Sequence, residues 1–214
     1  AEIDPRMNPI LLMPLGNYRS QVLVKGKFYK KMYAKDYYEK FALSKGLKAA
    51  TESLDWLQQN YDLIIIEGAG SPAEFNLEKY DIANMRMAEY SGAPVILVAD
   101  IDKGGSFASI VGTMELLDRK YRKFIKGFVI NKFRGDMRIL RPSLKKLKQK
   151  TNRPILGTIP LLKLDIPEED SLHANPKQVY WNKKYLQHLD IEIENLSRIV
   201  KASLNMKAIG RLIQ

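Results

Sequence analysis

Three polar clusters in this 214-residue chain carry the residue types that hold phosphates and hard cations. The first is Glu67-Gly68-Ala69-Gly70-Ser71-Pro72-Ala73-Glu74, and the second is Asp100-Ile101-Asp102-Lys103-Gly104-Gly105-Ser106. The third is Asn131-Lys132-Phe133-Arg134-Gly135-Asp136. A carboxylate such as Glu67 can ligate Mg²⁺, which takes oxygen ligands and usually keeps several waters. The glycines let backbone N–H groups approach anionic oxygens closely. Gly104-Gly105-Ser106 reads as the opening of a helix, whose free N–H groups and positive dipole end favour an anion. Lys132 and Arg134 can neutralise phosphate or carboxylate, and arginine can do so by bidentate contact.

Each feature also has a plainer reading. Gly68 and Gly70 are ordinary turn glycines if taken alone, and Glu67 a solvated strand end. Asp100 and Asp102 could bracket a turn or cap a helix. Lys132 and Arg134 could be a solvated charge cluster. What favours a site is the position of all three clusters relative to the elements that must carry them. Apolar runs precede them at Leu63-Ile64-Ile65-Ile66, Val95-Ile96-Leu97-Val98 and Phe128-Val129-Ile130, and a fourth, Ile155 to Ile159, ends at Pro160. The first two runs are continuous rather than alternating, the pattern of strands buried on both faces of a parallel sheet. Helical stretches at Ile82 to Tyr90, Phe107 to Leu117 and Arg138 to Lys150 lie between them. Strand and helix in alternation predict an α/β fold with a doubly wound, mostly parallel sheet. Ligands of such sheets bind outside the carboxyl ends of the strands. The expectation is therefore one sheet edge bearing all three clusters.

Upstream, Gln21 to Tyr33 reads as a hairpin turning at Lys25-Gly26-Lys27, and Asp36 to Asn60 as a helix broken near Ser44-Lys45-Gly46. Downstream, Leu164 to Lys177 reads as a loop. Leu189 to Ile213 reads as a helix with Ile191, Leu196, Ile199, Val200 and Leu204 on one apolar face.

The composition narrows the function classes. The net charge of +11 suits an anionic partner. Lys145, Lys146, Lys148 and Lys150 lie between apolar helix positions without a nucleic-acid motif or stacking aromatics, so a solvated face is expected and nucleic acid is not. No apolar stretch approaches the roughly 20 residues that cross a bilayer, and no secretory signal is visible; no membrane partner is expected, and the localisation expected is cytoplasmic. Cysteine is absent, which removes disulfides, thiolate metal sites and a cysteine nucleophile from these residues.

The clusters closely resemble cobyric acid synthase, in Glu67-Gly-Ala-Gly-Ser-Pro-Ala-Glu74, Asp81-Ile82 to Asn84-Met85, Asp100 to Gly105, Lys126 to Asp136 and Pro167-Glu-Glu-Asp-Ser171. Asn8-Pro9-Ile10-Leu11-Leu12 and Ser20-Gln21-Val22 match as well, so the resemblance runs from about Asp4 to Ser171. It implies a three-layer domain of the P-loop NTPase type, similar to dethiobiotin synthetase, that uses ATP and Mg²⁺ to phosphorylate corrin side-chain carboxylates. Ammonia, released from glutamine by a separate cysteine-dependent glutaminase domain, then displaces the phosphate. Four amidations convert adenosylcobyrinic acid a,c-diamide to cobyric acid in cobalamin biosynthesis.

By the same resemblance Glu67 is the expected Mg²⁺ ligand, grouped with Asp100 and Asp102 as catalytic. Gly68, Ala69, Gly70, Ser71, Asn131, Lys132 and Arg134 are expected to bind ATP, with Asn131 toward adenine. Pro72, Glu74, Asp81, Lys103, Gly104 and Gly105 are expected on the corrinoid side.

The chain departs from that family in three ways. No G-x-x-x-x-G-K-S/T phosphate loop occurs in the 214 residues, so the expectation is a domain lacking its first strand, phosphate loop and helix. The glutaminase domain is expected to be absent, and His173 and His188 are read as surface residues. Met13-Pro14-Leu15-Gly16-Asn17 stands where the family usually has Lys-Pro-Thr-Ser-Asp, and Arg86 replaces a usual glycine. Residues 1–175 are accordingly read as an incomplete amidoligase domain and 176–214 as a helical tail. The tail resembles a helix that follows the glutaminase in some family members, or packs on the sheet as a plain amphipathic helix. Little ligase activity is expected of this chain alone. The alternative is a non-catalytic remnant serving as a corrinoid-binding or interaction module; homo-oligomerisation is left open.

Overall fold

A computed structural model describes residues 3–74, 76–166 and 183–213. The chain forms two compact units, residues 1–93 and 94–214.

The first unit begins with an antiparallel sheet of β1 (Ile10–Gly16), β2 (Arg19–Val24) and β3 (Lys27–Tyr33). The expected hairpin is present as β2–β3, and β1 extends it. Asn17 and Tyr18, both at positive φ, turn β1 into β2, the geometry that matches strand twist in tight hairpins. Directly opposed residues share a face. Leu12, Val22 and Lys30 stand in one row, and Ser20 opposes Met32. On that face Val22 and Met32 are buried with Phe41, and Ile10, Val24 and Tyr37 pack around them.

The short α1 (Ala34–Asp36) leads into a π-helical run over Tyr37–Gly46, then α2 (Leu47–Asn60). The expected break near Gly46 is a change of hydrogen-bond pattern rather than a chain break. Gly46 packs closely there, since a Cβ would lie 3.1 Å from Ile82 Cδ1 and from Phe41 Cε1. α3 (Met85–Ser91) completes the unit, with Met87 buried against Ala50 and Leu54.

One expected strand is not formed. Leu63 to Ile66 is neither laddered nor buried on both faces; Ile65 is 87% exposed, and only Ile64 packs, against the Ala50–Leu54–Met87 cluster. A strand exists through its ladder partners, and among the described residues this segment has none.

The second unit holds the parallel sheet, in order β4 (Val95–Asp100), β5 (Ile125–Phe133), β6 (Ile155–Pro160). α4 (Ser106–Leu116) and α5 (Arg119–Arg122) connect β4 to β5, and α6 (Met137–Thr151) connects β5 to β6. This is the α/β alternation that the sequence predicts. β5 is central: Ile125, Phe128 and Ile130 are fully buried, as are Ile110 of α4 and Leu117. Each such side chain contributes about 1.5–3 kcal/mol on leaving water. α6 turns Leu140 and Leu147 inward and leaves Lys145, Lys146, Lys148 and Lys150 exposed, the solvated face expected of it.

The expectation of burial on both faces fails for β4, where Val98 is 55% exposed. Among the described residues β4 pairs only with β5, so it is an edge strand.

α7 (Lys183–Ser203) and α8 (Met206–Gly210) follow. α7 packs on β6, and the chain beyond it is pinned there by a Gly157–Leu204 bridge and by Asn205 N–H donating to Leu156 O at 2.7 Å. Its inner face runs through Leu189, Leu196, Ile199 and Val200, whereas Ile191, expected on that face, is 60% exposed. The helical period explains this: Leu189, Leu196 and Val200 fall seven and four residues apart, and Ile191 lies two residues off that stripe. Most of the loop expected from Leu164 to Lys177, including Pro167 to Ser171 and His173, lies outside the described residues.

Candidate functional site

Two of the three clusters meet at the carboxyl edge of the parallel sheet. Parallel pairing sets Asp100 opposite Asn131, and Ile101 N–H donates to Asn131 O at 3.0 Å. Asp100 Oδ2 lies 2.9 Å from Lys132 Nζ, and its Oδ1 accepts from Asp102 N–H at 2.9 Å. The neighbouring Asp102 accepts Arg134 Nε at 2.6 Å. The hydrogen bond from Lys132 holds the Asp100 carboxyl below the usual carboxylate range, and the same bond raises the Lys132 ammonium. Asn131 Oδ1 accepts from Lys132 N–H at 2.9 Å, and Lys132 adopts a left-handed φ of 59°.

Beyond Asp102 the chain turns through Gly104 and Gly105 at φ of 76° and 70°, values that strain a residue with a Cβ. Gly105 is the N-cap of α4 and no side chain caps its first amides. Lys103 is exposed on this turn. As arranged, both carboxylates are matched with cations, and the edge combines paired charges with a glycine turn.

The first cluster, Glu67 to Glu74, belongs to the other unit and does not follow a strand. Its backbone is held by Asn84, whose Nδ2 donates to Ala69 O at 2.8 Å. Gly68 is required by that closure, because a Cβ there would stand 1.8 Å from Asn84 Oδ1. Gly70 turns the loop at a φ of 64°, and Ser71 Oγ accepts from Ala73 N–H at 3.3 Å. Pro72 is half-buried, and Glu67 and Glu74 are exposed. Asp81, expected on the substrate side, serves the start of α3 in this structure. Its Oδ1 accepts from Ala83 and Asn84, and its Oδ2 accepts from Met85 N–H, each at 2.9 Å.

Arg86 turns back on the same segment, with Nε donating to Asp81 O at 2.9 Å and Nη2 to Lys79 O at 3.2 Å. It lines an open groove of about 490 Å³ with Leu47, Lys48, Thr51 and Tyr90. Sequence reasoning assigned no site role to Asn84. Its signal is its place in the Asp81 to Met85 block of the resemblance; its pairing with the glycine loop is one that spacing alone does not reveal.

Among the described residues no group of three His, Asp or Glu side chains is placed to hold a metal ion. Mg²⁺ does not demand one, since one or two carboxylates with phosphate oxygens and water suffice. Glu67, exposed and at the head of a glycine loop, fits that limited requirement. His188 meets Asp165 at 2.9 Å on the surface. No helix of the described residues is long and apolar enough to cross a membrane.

A family profile described as an AAA domain matches residues 23–168. Among curated proteins, a probable cobyric acid synthase of Thermococcus kodakarensis is 52% identical over 80% of this chain and 35% of its own length. The cobyric acid synthase of Nostoc sp. PCC 7120 is 48% identical over 87% and 37%, respectively. A probable cobyric acid synthase of Methanococcus maripaludis strain C7 is 48% identical over 93% and 40%. The chain thus spans 35–40% of the length of these relatives. No solved structure matches it. With more than half of its residues matched by that profile, the chain belongs to the AAA domain family, and cobyric acid synthases are among its relatives.

Proposed function

We propose that these residues form part of an ATP-dependent amidoligase acting on corrin side-chain carboxylates, with adenosylcobyrinic acid a,c-diamide going to cobyric acid. The carrying observation is the 47–52% identity to cobyric acid synthases over 80–93% of the chain. The chemistry gives the sheet edge a purpose. A carboxylate is a poor electrophile until one oxygen becomes a leaving group. Transfer of a phosphoryl group to it yields an acyl phosphate; ammonia then attacks the carbonyl carbon and phosphate departs, leaving an amide. Such transfers depend on positioning and on cations near the developing charge.

Lys132 and Arg134, held by Asp100 and Asp102, supply those cations, and Asn131 offers an amide to the purine. Glu67 would hold Mg²⁺, which draws charge from the phosphates when bound, and the backbone of Gly68 to Ser71 would face them. Pro72, Glu74, Lys103, Gly104 and Gly105 are assigned to the corrinoid side, and Asp81 supports that side through its cap on α3. Residues 1–175 are assigned to the amidoligase and 176–214 to a helical appendage. Neither a phosphate-loop motif nor a cysteine occurs in the 214 residues, so nucleotide turnover and glutamine hydrolysis by these residues alone are expected to be weak or absent. The working compartment of such a biosynthetic ligase is the cytoplasm.

Isothermal titration of the chain with Mg-ATP and with a corrinoid diamide tests this reading. Heat with either ligand supports it, and none with either, including after a phosphate-loop segment is supplied, overturns it. The missing motif, together with Met13 in place of a lysine, favours a second reading as a corrinoid-binding module. Corrinoid binding with no ammonia-dependent phosphate release would select that one.

A further inference from the structure

The β1–β2–β3 sheet covers its core with one face only. On the other face, Leu11, Leu23 and Phe28 form one cross-strand row and Met13, Gln21 and Lys31 the next. Arg19 and Tyr33 oppose each other beyond them. Leu11, Met13, Phe28 and Tyr33 are all exposed, Phe28 at 59%. Two inter-strand spacings of about 4.8 Å and four residues of about 3.3 Å rise make a platform of roughly 10 by 13 Å, the scale of a tetrapyrrole macrocycle.

The charges on this platform are of one sign. Of the cations in residues 10–33, Arg19 and Lys31 lie on this face, whereas Lys27 and Lys30 oppose Val24 and Val22 on the other, and the segment contains no acid. Lys25 is engaged by Glu52 at 3.1 Å, whereas Lys31 has no acidic partner among the described residues. The Arg19 guanidinium is held 4.8 Å from the Tyr33 ring centroid, fixed in direction by the ring's negative face. Next to Tyr33, an open groove of about 490 Å³ is lined by Tyr18, Lys35 and Asp36. An apolar face edged by aromatics and cations is complementary to a flat apolar ring whose periphery carries carboxylates.

We propose that this outward sheet face seats the macrocycle of a carboxylate-bearing corrinoid, the ring lying on Leu11, Leu23 and Phe28 and its carboxylates reaching Arg19 and Lys31. The inference rests on the corrinoid reading above and adds where on the chain the ring lies.

The test titrates the whole chain with dicyanocobyrinic acid, whose side chains are free carboxylates, and with dicyanocobinamide, whose side chains are amides. Binding is followed by calorimetry and by the corrin absorbance band. Arg19→Glu with Lys31→Glu is expected to weaken cobyrinic acid by about tenfold through lost and reversed charge pairs and to leave cobinamide unchanged. Phe28→Ser with Tyr33→Ser is expected to weaken both by about tenfold. Circular dichroism checks folding, and the charge reversals, at exposed positions, keep the test available if the aromatic pair unfolds the sheet. If wild type binds and both double variants bind equally well, this face is not the seat, although the functional reading stands. If wild type binds Mg-ATP but neither corrinoid, or binds none of the three, the platform falls with its substrate. A concentration-dependent dimer abolished by Phe28→Ser with Tyr33→Ser would give the face to a second copy and overturn the inference too.

Discussion

Lys132 and Asp100 sit on adjacent parallel strands with Nζ 2.9 Å from Oδ2, and the same aspartate also receives the Asp102 amide. One carboxylate thereby ties the end of β5 to the turn after β4. Asp100→Asn is expected to leave the fold intact, because the pair is solvent-exposed and such pairs contribute little to stability. It should lower the Lys132 ammonium pKa toward that of an ordinary lysine, since the hydrogen bond from Lys132 to Asp100 is what raises it. Nitrogen-detected NMR of the lysine ammonium across alkaline pH measures the change.

Gly68 and Gly112 separate two roles of glycine. Gly68→Ala drives a Cβ into Asn84 Oδ1 and breaks the closure on Ala69, at an expected cost of about 1–3 kcal/mol. Gly112, inside α4, meets nothing within 4 Å, so Gly112→Ala is expected to stabilise by about 0.5–1 kcal/mol. Urea melts of the two variants, read against wild type, should move in opposite directions.

Gly157 admits the C-terminal segment to β6. A Cβ there would lie 2.3 Å from Ser203 O and 2.5 Å from Leu204 Cδ2. Gly157→Val is expected to unseat α7 and α8 and to cost about 1–3 kcal/mol. Limited proteolysis should then cut within 183–213 faster than in wild type, while residues 94–160 persist.

Asp4 gives the first unit an acid-sensitive contact. Hydrogen bonds from Arg6 hold its carboxyl down at about 2, and the Arg6 guanidinium lies 3.3 Å from the centre of the Trp56 ring. Because the folded value lies below the ordinary 3.8, the contribution is complete above that pH and is lost as the pH falls toward about 2. Trp56 fluorescence, measured with Trp181→Phe to isolate it, should shift in that window, and Asp4→Asn should remove the transition.

Val98 exposes an apolar side chain on an edge strand, an arrangement that promotes edge-to-edge association. Val98→Lys is expected to reduce concentration-dependent aggregation without lowering the melting temperature by more than a few degrees. Static light scattering across a dilution series reports it.

The local pattern of the chain was sufficient for β4, β5, β6 and α6, because a buried run flanked by turn residues, or leucines at helical spacing, reflects which face each element must hide. It was sufficient also for the β2–β3 hairpin, since a glycine turn between two short apolar runs is chosen locally. It misread Leu63 to Ile66, where four apolar residues have the composition of a strand but no ladder partner among the described residues. It likewise misread Ile191, whose place depends on the phase of α7 against β6. Tertiary structure alone decided that Asp100 and Asp102 are held by Lys132 and Arg134, that Asp81 caps α3 and that Asn84 closes over Gly68. These pairings join residues that pattern and spacing do not connect: only the register of parallel strands and the packing of the α3 segment bring them within hydrogen-bonding distance.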